Sequence, residues 1–362
     1  MHPLLSAPYA AAAGLADLLA RAPIGGEGKA WRAIRARHGL LQRFERWGVE
    51  HRDPSRPLLW MHAPSVGEGL QARPVIERLR AAHPDWQVAY TFFSPSAERF
   101  AASVGADLHD YLPFDSAAAA RRLLDALRPS ALVFAKLDLW PRLAEAAYAR
   151  AIPLGMISAT LSEGSGRSGA LARALLGDAY RALDAVGTID AADGARLEAL
   201  GVRPDRIRVT GDTRYDQVAA RAAAADRTSP LLAPLASARP TLVAGSTWPA
   251  DETVLLPAWL ALREQVPDAR LIIAPHEPTP AHLAPVERWA TGAGLSLARL
   301  ADARATHDVV LVDRVGVLGE LYALATAAYV GGGFHAAGLH SVLEPAAFGA
   351  PVLFGPRHTN KI

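Results

Sequence analysis

Cysteine is absent from this 362-residue chain. Disulfide staples, thiolate nucleophiles and cysteine-ligated zinc are therefore excluded. Lysine is scarce: Lys29, Lys136 and Lys361 are the only three, and arginine supplies the rest of the 38 basic residues. Against 36 acidic residues the net charge is +2, which offers no global electrostatic case for nucleic acid. No apolar run matches a spanning helix of roughly 20 residues. The nearest approach, residues 3–26, is rich in alanine and broken by Asp17 and Arg21. It also lacks the basic start and cleavage site of a signal peptide.

What is present describes a globular chain: 51% hydrophobic and 20% charged residues, with length enough for two domains. Residues 29–52 carry Lys29, Arg32, Arg35, Arg37, Arg43, Arg46 and Arg52 against Glu45 and Glu50. An apolar helix followed by a cationic one suits an anionic lipid surface. It equally suits an N-terminal helix pair packed on the domain, and both readings stand.

From residue 57, apolar runs alternate with helical patterns. Strands are expected at 57–63, 87–93, 131–138, 153–159, 184–190 and 207–212, with a short one near 107–113. Helices fall between them, including 69–82 and 116–127. Residues 219–240 interrupt this pattern with alanine, serine, threonine and proline. The alternation then restarts with TLVAGST, ARLIIAPH, LSLARL, DVVLVD, AAYVGGG and PVLFGP as strands. Helices are expected near 250, over 280–293, near 318–325 and over 340–348. Such alternation means parallel sheets covered by helices. The reading is α/β: an N-terminal helical segment 1–54, a Rossmann-like domain 55–218, a linker 219–240 and a second Rossmann-like domain 241–362. Ligands in such sheets bind beyond the carboxyl ends of the strands, so a cleft between the two domains is the expected site.

Those strand ends carry the candidate chemistry. The first half offers Ser65, Gly67 and Glu68, then Lys136 with Asp138; the second offers Ser246 and Thr247, Pro275 and His276, and Ser341 to Glu344. Glycine at a strand-to-helix turn lets backbone N–H groups approach an anion. Neither AGST (244–247) nor YVGGGF (329–334) matches a dinucleotide fingerprint or a P-loop. A phosphorylated, nucleotide-linked ligand held by backbone N–H groups and hydroxyls remains. Glu344 suits ribose hydroxyls or simply a helix dipole. His276, His335 and His340 show no metal-binding spacing. In SVGEG (65–69), Glu68 between two glycines reads as a helix-start carboxylate or as a general base at a cleft mouth. Glycine on both sides weakens a helix start and lets the backbone turn tightly there.

Taken in order, HAPSVGEGLQARPVIERLR (62–80), DLWPRL (138–143), ISATLSEGS (157–165), VTGDTRYD (209–216), AGSTWPADE (244–252), IIAPHEP (272–278), LGELY (318–322) and YVGGGF…GLHSVLEPAAFGAPVLFGP (329–356) resemble the 3-deoxy-D-manno-octulosonate (Kdo) transferases of lipopolysaccharide synthesis. The resemblance covers roughly residues 55–358. It implies a GT-B fold and an inverting, metal-independent glycosyltransferase without a cofactor. The enzyme would move Kdo from CMP-Kdo to a hydroxyl of the lipid A precursor, at the cytoplasmic face of the inner membrane as a peripheral protein. It implies Glu68 as catalytic base. It also implies donor contacts by Ser246, Thr247, Pro275, His276, Gly319, Glu320, Ser341 and Glu344. Ser65, Gly67, Lys136 and Asp138 are acceptor-side candidates.

The chain departs from the family pattern in places. His340-Ser341 stands where the family has His-Asn, and AKLDL (135–139) replaces an acidic pair with Lys136 and Asp138. The resemblance implies further C-terminal helices after Ile362, so the second domain, 241–362, is expected to be incomplete and its C-terminal end truncated. A transferase for another nucleotide sugar and a non-catalytic relative are the alternative readings. The pattern does not specify the number of Kdo units added or the oligomeric state.

Overall fold

A computed structural model of the chain describes residues 1–21, 28–336 and 338–358. Two compact units divide it, Met1–Gln217 and Val218–Ile362.

The first unit opens with helices α1 (Pro3–Arg21), α2 (Lys29–Arg35) and α3 (Leu40–Glu50). Its sheet is built from β1 (Leu58–His62), β2 (Gln87–Phe92), β3 (Leu108–Tyr111), β4 (Ala131–Ala135), β5 (Leu154–Ala159), β6 (Ala185–Thr188) and β7 (Ile207–Val209). Helices α4 (Val66–Ala82), α5 (Glu98–Ala101), α6 (Ala117–Leu127), α7 (Pro141–Tyr148), α8 (Ala170–Arg181) and α9 (Ala191–Glu198) cross between strands, and α10 (Arg214–Ala223) follows β7. The strand order is β3-β2-β1-β4-β5-β6-β7, all parallel. Every residue of β1 and β2 is buried, because helices cover both faces of the sheet. That is why Leu58-Leu59-Trp60-Met61 reads as an unbroken apolar run and not as an alternation. The chain reverses direction across the sheet between β1 and β4, and the crevice beyond their carboxyl ends is the switch point where such folds bind ligands.

The second unit repeats the plan with β8 (Thr241–Thr247), α11 (Pro249–Gln265), β9 (Arg270–Pro275), α12 (Pro280–Gly292), β10 (Leu297–Arg299), β11 (Val309–Leu311), α13 (Leu318–Leu321), β12 (Ala327–Val330), α14 (Leu343–Ala347) and β13 (Val352–Phe354). The parallel order is β10-β11-β9-β8-β12-β13. The switch point here lies between β8 and β12. Expected helix 340–348 is shorter than its pattern suggested, because His340 to Val342 remain loop before α14.

Three arginines of the N-terminal basic stretch are spent inside the first unit. Buried Arg37 donates to the carbonyls of Ala33, Phe93 and Leu112, and its guanidinium lies 4.2 Å from the Phe93 ring centroid. Arg43 pairs with Asp110 at 2.7 Å, and buried Arg52 donates to the carbonyls of Leu127 and Arg128. Arg32, Arg35 and Arg46 stay exposed. The basic face expected of residues 29–52 is therefore thinner than a charge count suggests, since unpaired carbonyls at element ends recruit guanidinium donors. Helix α1 is tied down by Tyr9 to Asp115 at 2.8 Å and by Arg142 to the Ser6 carbonyl at 3.0 Å. Its Leu4, Leu15 and Leu18 are nevertheless 80%, 59% and 62% exposed, and at 100° per residue they share one face. Among the described residues no helix is long and apolar enough to cross a membrane. Residues 22–26 of the apolar stretch lie outside the described residues.

Candidate active site

Ser65 is the N-cap of α4, and its hydroxyl accepts from the Gly67 N–H at 3.3 Å. Glu68 is thus the third residue of the helix, the position that reaches back in a Ser-x-x-Glu capping arrangement. The helix starts three residues earlier than its apolar pattern indicated. Neither flanking glycine has a positive φ, so the expected tight glycine turn does not form. Gly69 serves packing: a Cβ there would stand 2.4 Å from Phe100 Cε1 and 2.8 Å from the Tyr90 hydroxyl. A Cβ on Gly67 would meet only Ser65 Oγ at 3.8 Å.

The Glu68 carboxylate accepts a short hydrogen bond from Ser65 Oγ and a second from Lys136 Nζ at 3.2 Å. Burial pushes its pKa up, but the Ser65 hydroxyl and the Lys136 charge outweigh this and hold it below the ordinary glutamate range. Glu68 is ionised at neutral pH. It follows β1 and Lys136 follows β4, so the pair sits at the switch point of the first sheet. Lys136 takes φ +57°, a left-handed conformation uncommon for a residue with a side chain, and its N–H donates to Ile157 O at 2.8 Å.

Behind this pair runs a buried polar chain that sequence reading missed. His62 ends β1, in register with Thr91 of β2. Trp60 Nε1 donates to Thr91 Oγ1 at 2.9 Å, and Thr91 Oγ1 lies 3.0 Å from His62 Nδ1. His62 Nε2 is 2.9 Å from Asp138 Oδ2, which also accepts from Trp140 Nε1 at 3.0 Å. A carboxylate only accepts, so His62 Nε2 carries a proton, and in the neutral ring the Thr91 hydroxyl donates to Nδ1. Burial pushes the Asp138 carboxyl up, yet the His62 and Trp140 donors bring it below its usual range. Asp138 is thereby held by the core, away from Glu68's own partners. Its signal in the sequence was a histidine inside an otherwise apolar strand.

In the second unit, Ser246 near the end of β8 also takes a left-handed φ of +55°. Gly331 after β12 has no room for a side chain, since a Cβ would stand 2.2 Å from Ser246 O. The triglycine thus lets the two switch-point loops touch through backbone alone. Trp248 stacks on His335 with ring centroids 4.2 Å apart and planes within 7°. His276 packs against Trp248 at 4.7 Å and against His340 at 4.4 Å, while Trp248 Nε1 donates to His340 Nε2 at 3.2 Å. Thr247 Oγ1 donates to buried Glu252 at 2.8 Å. Asp251 is fully buried at 0% exposure and accepts four donors: the N–H groups of Trp248, Gly332 and Phe334, and the Tyr329 hydroxyl.

Ser246, Thr247, Pro275 and His276 are therefore brought to one sheet end. Gly319 and Glu344 meet around Arg221 instead: Arg221 Nη1 pairs with Glu344 Oε1 at 2.9 Å, and a Gly319 Cβ would press on the guanidinium at 2.9 Å. Glu320 lies beside Gly319 in α13, and Ser341 Oγ caps the Leu343 N–H at 3.4 Å. Trp248, Asp251 and Arg221 were not singled out by sequence, and His335 was weighed there only as a metal ligand. Trp248 and Asp251 lie in the quoted AGSTWPADE motif, but nothing local marks their contacts.

Two Rossmann-like units, each all-parallel and each with its polar residues gathered at the switch point, define the GT-B class of α/β enzymes. Residues 37–217 match the family model described as 3-deoxy-D-manno-octulosonic-acid transferase (kdotransferase). The 3-deoxy-D-manno-octulosonic acid transferase of Bordetella pertussis is 30% identical over 347 residues, covering 91% of this chain and 79% of that protein. The Haemophilus influenzae transferase of the same name is 28% identical, over 90% of this chain and 76% of its own length. A probable mitochondrial counterpart from Arabidopsis thaliana is 30% identical, over 90% of this chain and 75% of its own. A solved UDP-GlcNAc 2-epimerase of Neisseria meningitidis superposes with a TM-score of 0.57 at 16% identity over 82% of each chain, a likeness of fold alone. The chain belongs to the Kdo transferase family and is a glycosyltransferase.

Proposed function

We propose that the chain transfers Kdo from CMP-Kdo to a hydroxyl of the lipid A precursor with inversion, using Glu68 as general base and no metal or cofactor. One observation carries the reading: an ionised, largely buried carboxylate stands at the switch point of the first sheet, and among the described residues its side-chain hydrogen-bond partners are a serine and a lysine. In the proposed step Glu68 takes the proton of the acceptor hydroxyl. The hydroxyl oxygen bonds the anomeric carbon of Kdo, and the bond to the CMP phosphate oxygen breaks with its electron pair. The Ser246 hydroxyl at the end of β8 suits the departing phosphate. We assign donor contacts to Ser246, Thr247, Pro275, His276, Gly319, Glu320, Ser341 and Glu344, with Trp248 added. Residues 55–218 take the acceptor role, 241–362 the donor role, 219–240 the linker and 1–54 the membrane-proximal role. The exposed Leu4, Leu15 and Leu18 face supports peripheral contact with the inner membrane.

The test is mass analysis of the product formed from CMP-Kdo and lipid A precursor, with and without a chelator. Addition of one or more Kdo units in both arms is expected. Calorimetric preference for UMP or UDP over CMP, with no Kdo product, overturns the reading.

A further inference from the structure

We infer that Lys136 is a binding site for a negatively charged group of a substrate, carboxylate or phosphate, placed beside the base. The inference rests on the proposed role of Glu68.

An ammonium carries three N–H donors. Among the described residues Lys136 uses one, toward Glu68, and its side chain is 36% exposed while that of Glu68 is 17% exposed. Two donors therefore remain for a ligand at the switch point. The neighbouring carboxylate does not compete for them. Asp138 is held two residues on by His62 and Trp140. The loop carries a second cation: Arg167 Nη1 donates to the Leu137 carbonyl at 2.5 Å.

The reaction supplies the need for an anion. At rest the Glu68 charge balances Lys136. When Glu68 takes the acceptor proton its charge disappears, and the ammonium is left without its partner in a partly shielded place. An unaccompanied ammonium beside the base opposes that proton transfer. A substrate anion against Lys136 removes the penalty by giving the ammonium a second partner throughout. Two sources share this chemistry: the carboxylate of the sugar acid being transferred, and a phosphate on the acceptor.

Lys136→Met and Lys136→Arg decide between them. Steady-state rates are measured with donor and acceptor varied in turn, and with the acceptor before and after phosphatase treatment. Loss of a charge-assisted contact raises one KM in Lys136→Met by roughly 10–100-fold, while Lys136→Arg stays within a few-fold of wild type. A rise confined to CMP-Kdo identifies the carboxylate. A rise confined to the acceptor, absent once the acceptor is dephosphorylated, identifies the phosphate. Unchanged KM values for both substrates, with only the acid limb of the pH–rate profile moved upward, overturn the inference and leave Lys136 acting on Glu68 alone. If the wild-type protein transfers no Kdo, that failure falls on the proposed function. Equilibrium titration of wild type and Lys136→Met with CMP-Kdo and with the phosphorylated acceptor then decides the subsite, and equal affinities for both overturn it.

Discussion

His62 Nε2 lies 2.9 Å from Asp138 Oδ2, with the imidazole wholly buried and its other nitrogen against Thr91. This contact fixes the loop after β4 from inside the sheet. Replacing His62 by Leu leaves the buried Thr91 hydroxyl without its acceptor and the half-buried Asp138 without one of its donors. A stability loss of about 2–4 kcal/mol is expected in urea unfolding. Equal stability of the two proteins contradicts the positioning role.

Glu68→Gln keeps the size of the side chain and removes the base. Turnover is expected to fall by about 10²–10⁴-fold while CMP-Kdo affinity, read by calorimetry, stays within twofold. Because Ser65 and Lys136 hold the carboxyl below its ordinary value of 4.5, wild-type transfer keeps its base ionised down to about that pH. Near-normal turnover of the variant rejects the assignment.

The two glycines around Glu68 respond oppositely to alanine. Gly69→Ala drives a methyl into Phe100 and Tyr90 and costs about 1–3 kcal/mol. Gly67→Ala meets only Ser65 Oγ, at an ordinary contact distance in helical backbone, and stabilises by about 0.5–1 kcal/mol. Melting temperatures of the two variants on either side of wild type are the expected result. A destabilised Gly67→Ala would restore the idea of a glycine hinge.

Asp251→Asn turns an all-acceptor group into one with an N–H₂ that faces either the Trp248 and Gly332 N–H groups or the Phe334 N–H and the Tyr329 hydroxyl. The loops after β8 and β12 lose their common anchor, at about 3 kcal/mol or more. Donor KM is expected to rise well beyond acceptor KM, and Tyr329→Phe, which removes one bond of the four, shows a smaller effect in the same direction. Equal shifts in both KM values indicate general loosening instead.

Asp308 ties the Ser296 turn to Arg239 and Arg263, accepting from them at 2.9 and 3.0 Å. Burial pushes its carboxyl up, but the Ser296 and Arg239 hydrogen bonds bring it down from 3.8 to about 2. A depressed carboxyl stabilises the fold above its unfolded value and loses that contribution as pH falls through the folded one. Asp308→Asn should therefore be less stable than wild type at pH 7 by at most about 2 kcal/mol, with the gap closing between about pH 4 and pH 2. A gap that persists at the acid end refutes the linkage.

The strand–helix alternation was legible from residues 57 onward because buried parallel strands read as continuous apolar runs between amphipathic helices. The Glu68 candidate was legible too, as a carboxylate where a strand meets a helix. The start of α4 was not, since Ser65 caps a turn that contains two glycines and little apolar signal. Nor was the fate of Arg37, Arg43 and Arg52, whose partners are carbonyls and a carboxylate distant in sequence.

By itself the sequence determined the α/β class, the family through its ordered motifs, and the strand ends that carry the candidate residues. Only the tertiary structure decided which residues meet there. Lys136 reaches Glu68 across a separation of 68 residues, His62 reaches Asp138 across 76, and Asp251 reaches Gly332 across 81. The reason is topological: at a switch point, neighbouring strands are distant in the chain, so the contacts that tune a site there leave no local pattern.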